Sequence, residues 1–177
     1  MSILVQTVTR CPVCGAEAFS YTEFLYETPY FGNVVVSTGF CRSCGYRFFD
    51  VDYAESGNPT RVIFKAENGE DVSKSLVVRS KTGSIKSPDL GFSLEPGPHA
   101  EPFITTVEGL LYRALDYAES LKALEPESAR RVDEFIEAVQ RAIDSGGFTL
   151  IVEDPLGKSV IIPRRPETVR IEPLGST

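Results

Sequence analysis

The sequence predicts an α+β protein that is mostly β, in which a small cysteine-bearing β module precedes a larger β domain with two inserted helices. Two Cys-x-x-Cys pairs lie in the first fifty residues, β-prone runs with turn signals follow, and two long amphipathic stretches interrupt the later runs. We place the module at residues 1–52, the β domain at 53–165 with its helices at about 106–145, and a flexible tail at 166–177.

Composition and charge limit the function classes. The chain has 177 residues, of which 42% are hydrophobic and 24% charged, as is usual for globular proteins. No run approaches the roughly 18 apolar residues of a membrane-spanning helix, and no charged start precedes an apolar leader, so we expect a cytoplasmic protein. The net charge of −7 opposes broad binding of nucleic acid, because that affinity comes from Lys and Arg on phosphates.

The module alternates aromatic and polar residues, which predicts short strands on a half-buried sheet. Pro29, Gly32 and Asn33 indicate the turn between two of these strands. The alternating positions are Phe19, Tyr21, Phe24 and Tyr26, and a valine run follows at 34–36.

The β domain begins with β-prone runs at 62–64 and 76–78, separated by the turn signals Asn68-Gly69 and Thr82-Gly83. Three prolines at 95–102 each lack a backbone donor, so this segment is predicted to be a surface loop. The loop contains the chain's only histidine, His99, which we interpret as an exposed loop residue.

Two amphipathic helices are predicted next. Apolar residues recur at the three-and-four spacing of one helix face between residues 107 and 121 and again between 132 and 143. Thr105 with Glu108 forms a capping-box pattern, Pro126 opens the second helix, and Gly146-Gly147 ends it. The short connection predicts an antiparallel helical hairpin.

Strands resume at 148–152 and 159–162, on either side of the turn at 153–157, which together predict a β-hairpin. Asp154 could be a catalytic acid, but an Asp before a Pro in such a turn is typical of a turn-forming residue.

The cysteines indicate one structural zinc ion. Cys11 and Cys14 are separated from Cys41 and Cys44 by 26 residues, and a Gly follows each pair. Two intervening residues let both sulfurs of a tight turn reach one ion, and four thiolates close its tetrahedron against water or substrate. One alternative is that the cysteines form disulfides. We disfavour it because disulfides are typical of secreted proteins and the sequence shows no signal peptide. A redox pair would need only one Cys-x-x-Cys at the start of a helix.

We expect no enzymatic activity. A catalytic metal would need several histidines, and the chain has one. There is neither a Gly-x-Ser-x-Gly nucleophile elbow nor a phosphate loop before a helix.

The spacer between the cysteine pairs is acidic: from Cys11 to Cys41 there is no Lys or Arg, while Glu17, Glu23 and Glu27 are present. This composition disfavours phosphate binding and favours a basic partner surface.

The sequence resembles the ZPR-type zinc-finger protein family along most of its length. The resemblance rests on the cysteine pairs and on motifs that occur in the same order as in the family. These are residues 29–32 (Pro-Tyr-Phe-Gly), 34–37 (Val-Val-Val-Ser), 41–47 (Cys-x-x-Cys-Gly-Tyr-Arg), 89–90 (Asp-Leu), 105–110 (Thr-Thr-Val-Glu-Gly-Leu) and 148–157 (Phe-Thr-Leu-Ile-Val-Glu-Asp-Pro-Leu-Gly).

The resemblance implies a zinc ribbon followed by a double-stranded β-helix, a jelly-roll-like domain that carries the helical hairpin. Eukaryotic members bind translation elongation factor 1-alpha and assist its folding, which implies that factor as the partner. They carry two such modules, whereas this chain has one, like the archaeal form. The chain also differs from the family at Leu156 and Lys158, where Ser and Asn are common.

We therefore predict a protein-binding folding or assembly factor, with Tyr30, Phe31, Glu23 and Glu27 as partner-contact residues. The alternative is a nucleic-acid-binding zinc ribbon acting in transcription or translation, which the acidic spacer opposes. The sequence leaves the oligomeric state open.

Overall fold

The computed structural model describes residues 2–175, which form two compact units that divide between Ser56 and Gly57. The predicted boundary at residue 52 falls inside the last strand of the first unit, so the module is four residues longer than expected. No helix among residues 2–175 is both long and apolar enough to cross a membrane.

The first unit is one antiparallel sheet with the strands in chain order. Gly32, at φ 68°, closes the β2–β3 turn, where the Thr28 hydroxyl accepts from the Phe31 amide at 3.2 Å. This is the turn that Gly32 and Asn33 indicated in the sequence. The strands are β1 (Ser2–Thr9), β2 (Phe19–Thr28), β3 (Gly32–Cys41) and β4 (Arg47–Tyr53).

The second unit contains two antiparallel sheets. Its strands are β5 (Thr60–Ala66), β6 (Leu76–Arg79), β7 (Ser84–Ser87), β8 (Phe92–Leu94), β9 (Phe103–Thr106), β10 (Phe148–Asp154), β11 (Val160–Ile162) and β12 (Val169–Pro173). The larger sheet has the order β12-β5-β10-β7-β8, and the smaller one has the order β11-β6-β9. The chain passes repeatedly between the two sheets, as the jelly-roll expectation requires.

Three helices belong to this unit: α1 (Gly69–Lys74), α2 (Val107–Leu124) and α3 (Ala129–Ser145), with a 3₁₀ turn at Pro126–Ser128 between the last two. The predicted helical hairpin is thus present.

Two local predictions about helix starts were wrong. The cap of α2 is Thr106, whose hydroxyl accepts from the Gly109 amide at 2.9 Å, rather than Thr105. Asn68 begins α1 instead of a turn, because its side chain accepts from the Asp71 amide.

The hydrophobic core lies between the helical hairpin and the strands of the second unit. Val107 and Leu111 of α2 and Val139 of α3 are fully buried, as are Phe64 of β5 and Leu150 of β10. Truncation of such a side chain to Ala leaves a cavity and costs about 2–5 kcal/mol. This packing fixes the helical hairpin on the β scaffold.

The predicted hairpin of 148–152 with 159–162 was wrong. β10 pairs with β5 and β7, whereas β11 pairs with β6 in the other sheet. The turn between them bends around the Asp154 carboxylate, which accepts from the backbone amides of Leu156 and Lys158 at 2.9 Å each. This bend directs the chain into the second sheet.

The predicted flexible tail differs from the structure. Residues 166–168 form a 3₁₀ turn, and β12 pairs antiparallel with β5, with Val169 opposite Phe64. β12 is an edge strand, where Pro173 needs no ladder partner on its open side. Residues 176–177 of that prediction lie outside the described residues.

Candidate metal centre

Two matching turns position the four cysteines. Cys11 and Cys14 lie between β1 and β2, while Cys41 ends β3 and Cys44 precedes β4. In each turn the Gly amide donates to the carbonyl of the first Cys at 2.9 Å, from Gly15 to Cys11 and from Gly45 to Cys41. Both glycines have left-handed φ values, 75° and 76°, which a side chain would strain.

The sulfur geometry fits one tetrahedral zinc ion. Cys11 Sγ lies 3.8 Å from Cys44 Sγ, and Cys14 Sγ lies 3.7 Å from Cys41 Sγ. All four sulfurs lie within 4.8 Å of one another. A tetrahedron with Zn–S bonds of 2.3 Å has edges of about 3.8 Å. The four thiols are free, and their separations are far beyond a disulfide bond of about 2.05 Å. The site therefore holds one structural zinc, as predicted.

Burial and hydrogen bonds shift the pKa values of two thiols in opposite directions. Cys11 and Cys41 are buried, at 2% and 0% exposure, while Cys14 and Cys44 are exposed. Burial acts to raise the pKa of the Cys11 thiol. Hydrogen bonds from the Cys14 and Val13 backbone and from neighbouring thiols outweigh that effect and lower this pKa to about 7. At Cys44 the Tyr46 backbone acts to lower the pKa, but burial and the hydrogen bonds to the other three cysteines outweigh it and raise the pKa. A thiolate is the form that binds zinc.

An aromatic cluster beside the ligands completes the small core of the first unit. Phe19 is buried, and its ring stacks with Tyr46 at 5.8 Å and with Tyr21 at 6.4 Å between centroids. Gly39 lies directly against Phe19, since a Cβ at Gly39 would come within 2.1 Å of the Phe19 ring. This role of Gly39 was not predicted from the sequence, although a Gly inside a β-prone run is a known signal of close approach.

The predicted contact residues do not form one cluster. Tyr30 is exposed in the β2–β3 turn, but Phe31 packs on Tyr53 with ring centroids 5.9 Å apart. Glu27 is exposed near the same turn, whereas Glu23 lies four residues away on β2, about 13 Å along the strand.

Glu23 is engaged within its own sheet. Its carboxylate accepts from the Tyr21 hydroxyl at 2.6 Å and from the Ser37 hydroxyl at 3.4 Å. The hydrogen bond to Glu23 raises the pKa of Tyr21. Which of the predicted residues contact a partner stays a prediction.

The sheet of the first unit has two unlike faces, which the sequence analysis did not recognise. By register, Glu23 lies in line with Ser37 and Asp50, so β4 adds its acidic residues to the face that holds Glu23. The opposite face exposes apolar side chains among polar ones: Val8 is 64% exposed, Phe40 42% and Phe49 69%. The sequence did contain a signal for the two faces in β4. Its acidic residues, Asp50 and Asp52, alternate with the apolar residues Phe49 and Val51, and Phe48 lies on the acidic side.

The structure places the two polar candidates of the second unit, Asp154 and His99, at the turn after β10 and in a loop. Asp154 is fully buried, and its oxygens accept from groups of the surrounding turns, as in a turn-forming residue. His99 is exposed in the loop between β8 and β9, as interpreted from the sequence.

Comparison with known proteins identifies two matching domain families. Residues 5–58 match the ZPR1 zinc-finger domain, and residues 70–173 match the ZPR1 jelly-roll domain. A ZPR1-like protein of Pyrococcus horikoshii is 37% identical over 159 residues, covering 86% of this chain and 71% of the relative. A ZPR1-like protein of Methanocaldococcus jannaschii is 38% identical over 156 residues, covering 86% and 78%.

A eukaryotic relative is longer. The zinc finger chaperone of Schizosaccharomyces pombe is 30% identical over 160 residues, which cover 85% of this chain and 34% of the relative. The match therefore spans about a third of the yeast protein.

Proposed function

The chain belongs to the ZPR1 family, and from this premise we propose that it binds translation elongation factor 1-alpha and assists its folding or assembly. The S. pombe relative is named a chaperone, and its region of similarity covers 85% of this chain. The observation that carries the proposal is the open apolar face of the zinc-bearing sheet.

The open face has the composition of a protein-binding surface. Phe49 and Val8 are more than half exposed, and the Arg47 guanidinium lies 5.5 Å from the centre of the Phe40 ring on the same face. Exposed apolar side chains grouped on one face mark interaction sites, and aromatic and Arg side chains are enriched at binding hot spots. A folding factor needs such a surface to contact apolar segments of an incompletely folded partner.

Charge adds a preference for the partner. The opposite face and the β2–β3 turn carry Glu23, Glu27 and Asp50, and no Lys or Arg lies between Cys11 and Cys41. A partner that has an apolar patch with basic residues around it would suit this sheet. Its apolar patch would contact the open face, and its basic residues would reach the acidic side chains at the edge of the sheet. Tyr30, exposed at the turn, is the aromatic residue that we propose at that edge.

We propose binding rather than catalysis. Four sulfur ligands leave the zinc no open coordination position, so the metal shapes the sheet instead of activating water. A cytoplasmic location stays a prediction.

The test uses the zinc-loaded chain and purified archaeal elongation factor 1-alpha, in the GDP, GTP and nucleotide-free states, by titration calorimetry. Phe49→Glu should weaken binding by about thirtyfold, since a buried aromatic hot spot contributes about 2 kcal/mol. Tyr112→Glu replaces another aromatic residue that is more than half exposed, on α2 of the second unit, and should change the affinity by no more than about twofold. A refolding assay of the denatured factor should follow the same ranking.

Absence of binding in every nucleotide state would refute the proposal, as would equal affinities for the wild type and Phe49→Glu. Salt-dependent RNA binding by the wild type at physiological ionic strength would support the nucleic-acid alternative instead.

A further inference from the structure

A groove of about 890 Å³ lies on the second unit between the helical hairpin and strand β8. We call it the hairpin groove. Ala114 and Leu121 of α2 are partly exposed on it, and Leu94 of β8 and Tyr117 of α2 are exposed, so its lining is mainly apolar. It lies in the second unit, outside the zinc-bearing sheet from which the function above is argued.

One side of the hairpin groove is an open sheet edge. β8 is the last strand of its sheet and pairs only with β7 among the described strands. Phe92 meets Phe135 of α3 edge to face at 6.4 Å, so Phe92 and Leu94 point toward the helices and Ser93 points away. The unpaired backbone of an edge strand can accept one more strand from another protein.

Two arginines that lack an anionic partner among the described residues line the groove together with two glutamates. Arg113 and Arg131 line it, and within residues 57–175 they are the arginines without a carboxylate or carbonyl partner. Arg113 lies 4.6 Å from the centre of the Phe103 ring, which orients it without neutralising its charge. Glu95 and Glu125 line the groove as well, but neither forms an ion pair with these arginines. The partnered arginines are Arg61, Arg79, Arg130, Arg141, Arg164, Arg165 and Arg170.

We propose that the hairpin groove binds an extended segment of a partner protein, which pairs with β8 and carries both apolar and acidic side chains. Backbone pairing with β8 gives the segment its direction. Its apolar side chains lie against Leu94, Ala114 and Leu121, and its carboxylates meet Arg113 and Arg131. Arg binds carboxylate through two parallel hydrogen bonds, which selects an acidic segment over a basic one.

The probe is a fluorescein-labelled peptide, Leu-Thr-Leu-Thr-Asp-Thr-Asp-Thr, whose leucines and aspartates share one side of a strand. Its binding is measured by fluorescence anisotropy. Arg131→Glu should weaken binding at least tenfold, because it removes a charge-assisted contact and adds repulsion. Arg130→Glu is the matched control: Arg130 is the neighbouring exposed residue, pairs with Glu134 and does not line the groove, so its effect should stay within about twofold.

Two further peptides separate the parts of the proposal. A version with Lys in place of Asp should bind at least tenfold more weakly. A version with N-methyl groups on alternate residues, which cannot pair with β8, should lose binding to a similar extent.

Several results would overturn the proposal. These are no binding of the acidic peptide up to about 1 mM, equal binding to Arg131→Glu and wild type, or equal binding of the N-methylated peptide. Sedimentation equilibrium tests whether a second copy of this chain occupies the hairpin groove instead. A wild-type dimer that the Arg131→Glu substitution dissociates would show that it does.

Discussion

Replacing Asp154 by Asn removes charge and one acceptor oxygen from the buried carboxylate that holds the turn after β10. Both oxygens are fully used in the wild type, because each accepts one backbone amide and at least one hydroxyl. Oδ1 accepts from Thr82 Oγ1 at 2.6 Å and Leu156 N at 2.9 Å, and Oδ2 accepts from Ser80 Oγ and Ser159 Oγ at 2.7 Å and Lys158 N at 2.9 Å.

The cost follows from the backbone donors. A hydroxyl can rotate to accept from the new amide group, but a backbone N–H cannot, so either orientation of Asn points its NH₂ at an N–H. A hydrogen bond to a charged group contributes about 1.5–3 kcal/mol, and a buried donor left without a partner costs about 1–3 kcal/mol. We therefore expect Asp154→Asn to lower the free energy of unfolding by about 3–5 kcal/mol at pH 7.

The effect should depend on pH. Burial acts to raise the pKa of Asp154, but the hydroxyls of Thr82, Ser159 and Ser80 and the Leu156 amide outweigh it and lower this pKa. Since the folded-state pKa lies below the ordinary value of about 3.9, this stabilisation is full above that pH and is lost as the pH falls through the folded-state pKa. The difference between wild type and variant should shrink in acid.

Urea unfolding followed by circular dichroism, with hydrogen exchange of the β10 amides, measures the difference at pH 7 and at acid pH. Asp116→Asn makes the same chemical change on the exposed surface of α2 and should stay within about 0.5 kcal/mol. A loss below about 1 kcal/mol for Asp154→Asn at pH 7 would refute the reasoning, because the amides must then have found other acceptors.

Three further substitutions test the metal site and a buried ion pair. Cys41→Ser replaces one of the four thiolate ligands by a hydroxyl, which stays protonated and binds zinc weakly, so stoichiometric zinc should be lost in native mass spectrometry; a retained ion would contradict the ligand assignment. Gly45→Ala, at φ 76°, should lose about 1–2 kcal/mol and bind zinc more weakly in a chelator competition, and unchanged affinity would contradict the strain. Arg165→Ala leaves the fully buried Asp71 carboxylate without its cationic partner, the guanidinium that lowers the pKa of Asp71. The melting temperature of this variant should therefore fall far more than that of Arg130→Ala, which changes an exposed residue.

Local patterns predicted the elements whose physics is local. The cysteine turns follow from residue spacing, and the helical hairpin follows from apolar periodicity over two long stretches. The cap was misplaced by one residue because Thr105 and Thr106 are both able to cap, and only the hydrogen bond to Gly109 distinguishes them. The start of α1 was missed because Asn68 suits a turn and a helix cap equally well.

The pairing of strands within the sheets could not be predicted. Apolar alternation indicates that a segment is a strand with one buried face, but it carries no information on which other strand forms hydrogen bonds with it. β10 and β11 are close in sequence with a good turn between them, yet each pairs with strands from other parts of the chain. The segment of β12 was predicted to be a tail because prolines recur from Pro163 to Pro173 and few residues there are apolar, although Pro173, the last residue of β12, is tolerated in an edge strand. The two-faced sheet of the first unit needed the register of all its strands.

The zinc site and the hairpin groove belong to different units, and this separation makes the two proposals distinguishable. The cysteine turns connect β1 to β2 and β3 to β4 at one end of the sheet, so removal of zinc should release both turns and disturb the nearby face of Val8, Phe40 and Phe49. The residues of the hairpin groove lie in the second unit, whose core contains no metal ligand. We therefore expect the chelated chain to lose binding of elongation factor 1-alpha while keeping its affinity for the acidic peptide. If chelation abolishes binding of both the elongation factor and the peptide, the second unit needs the zinc-bearing unit for its fold. If chelation abolishes neither, the apolar face of the zinc-bearing sheet is not the site of partner binding.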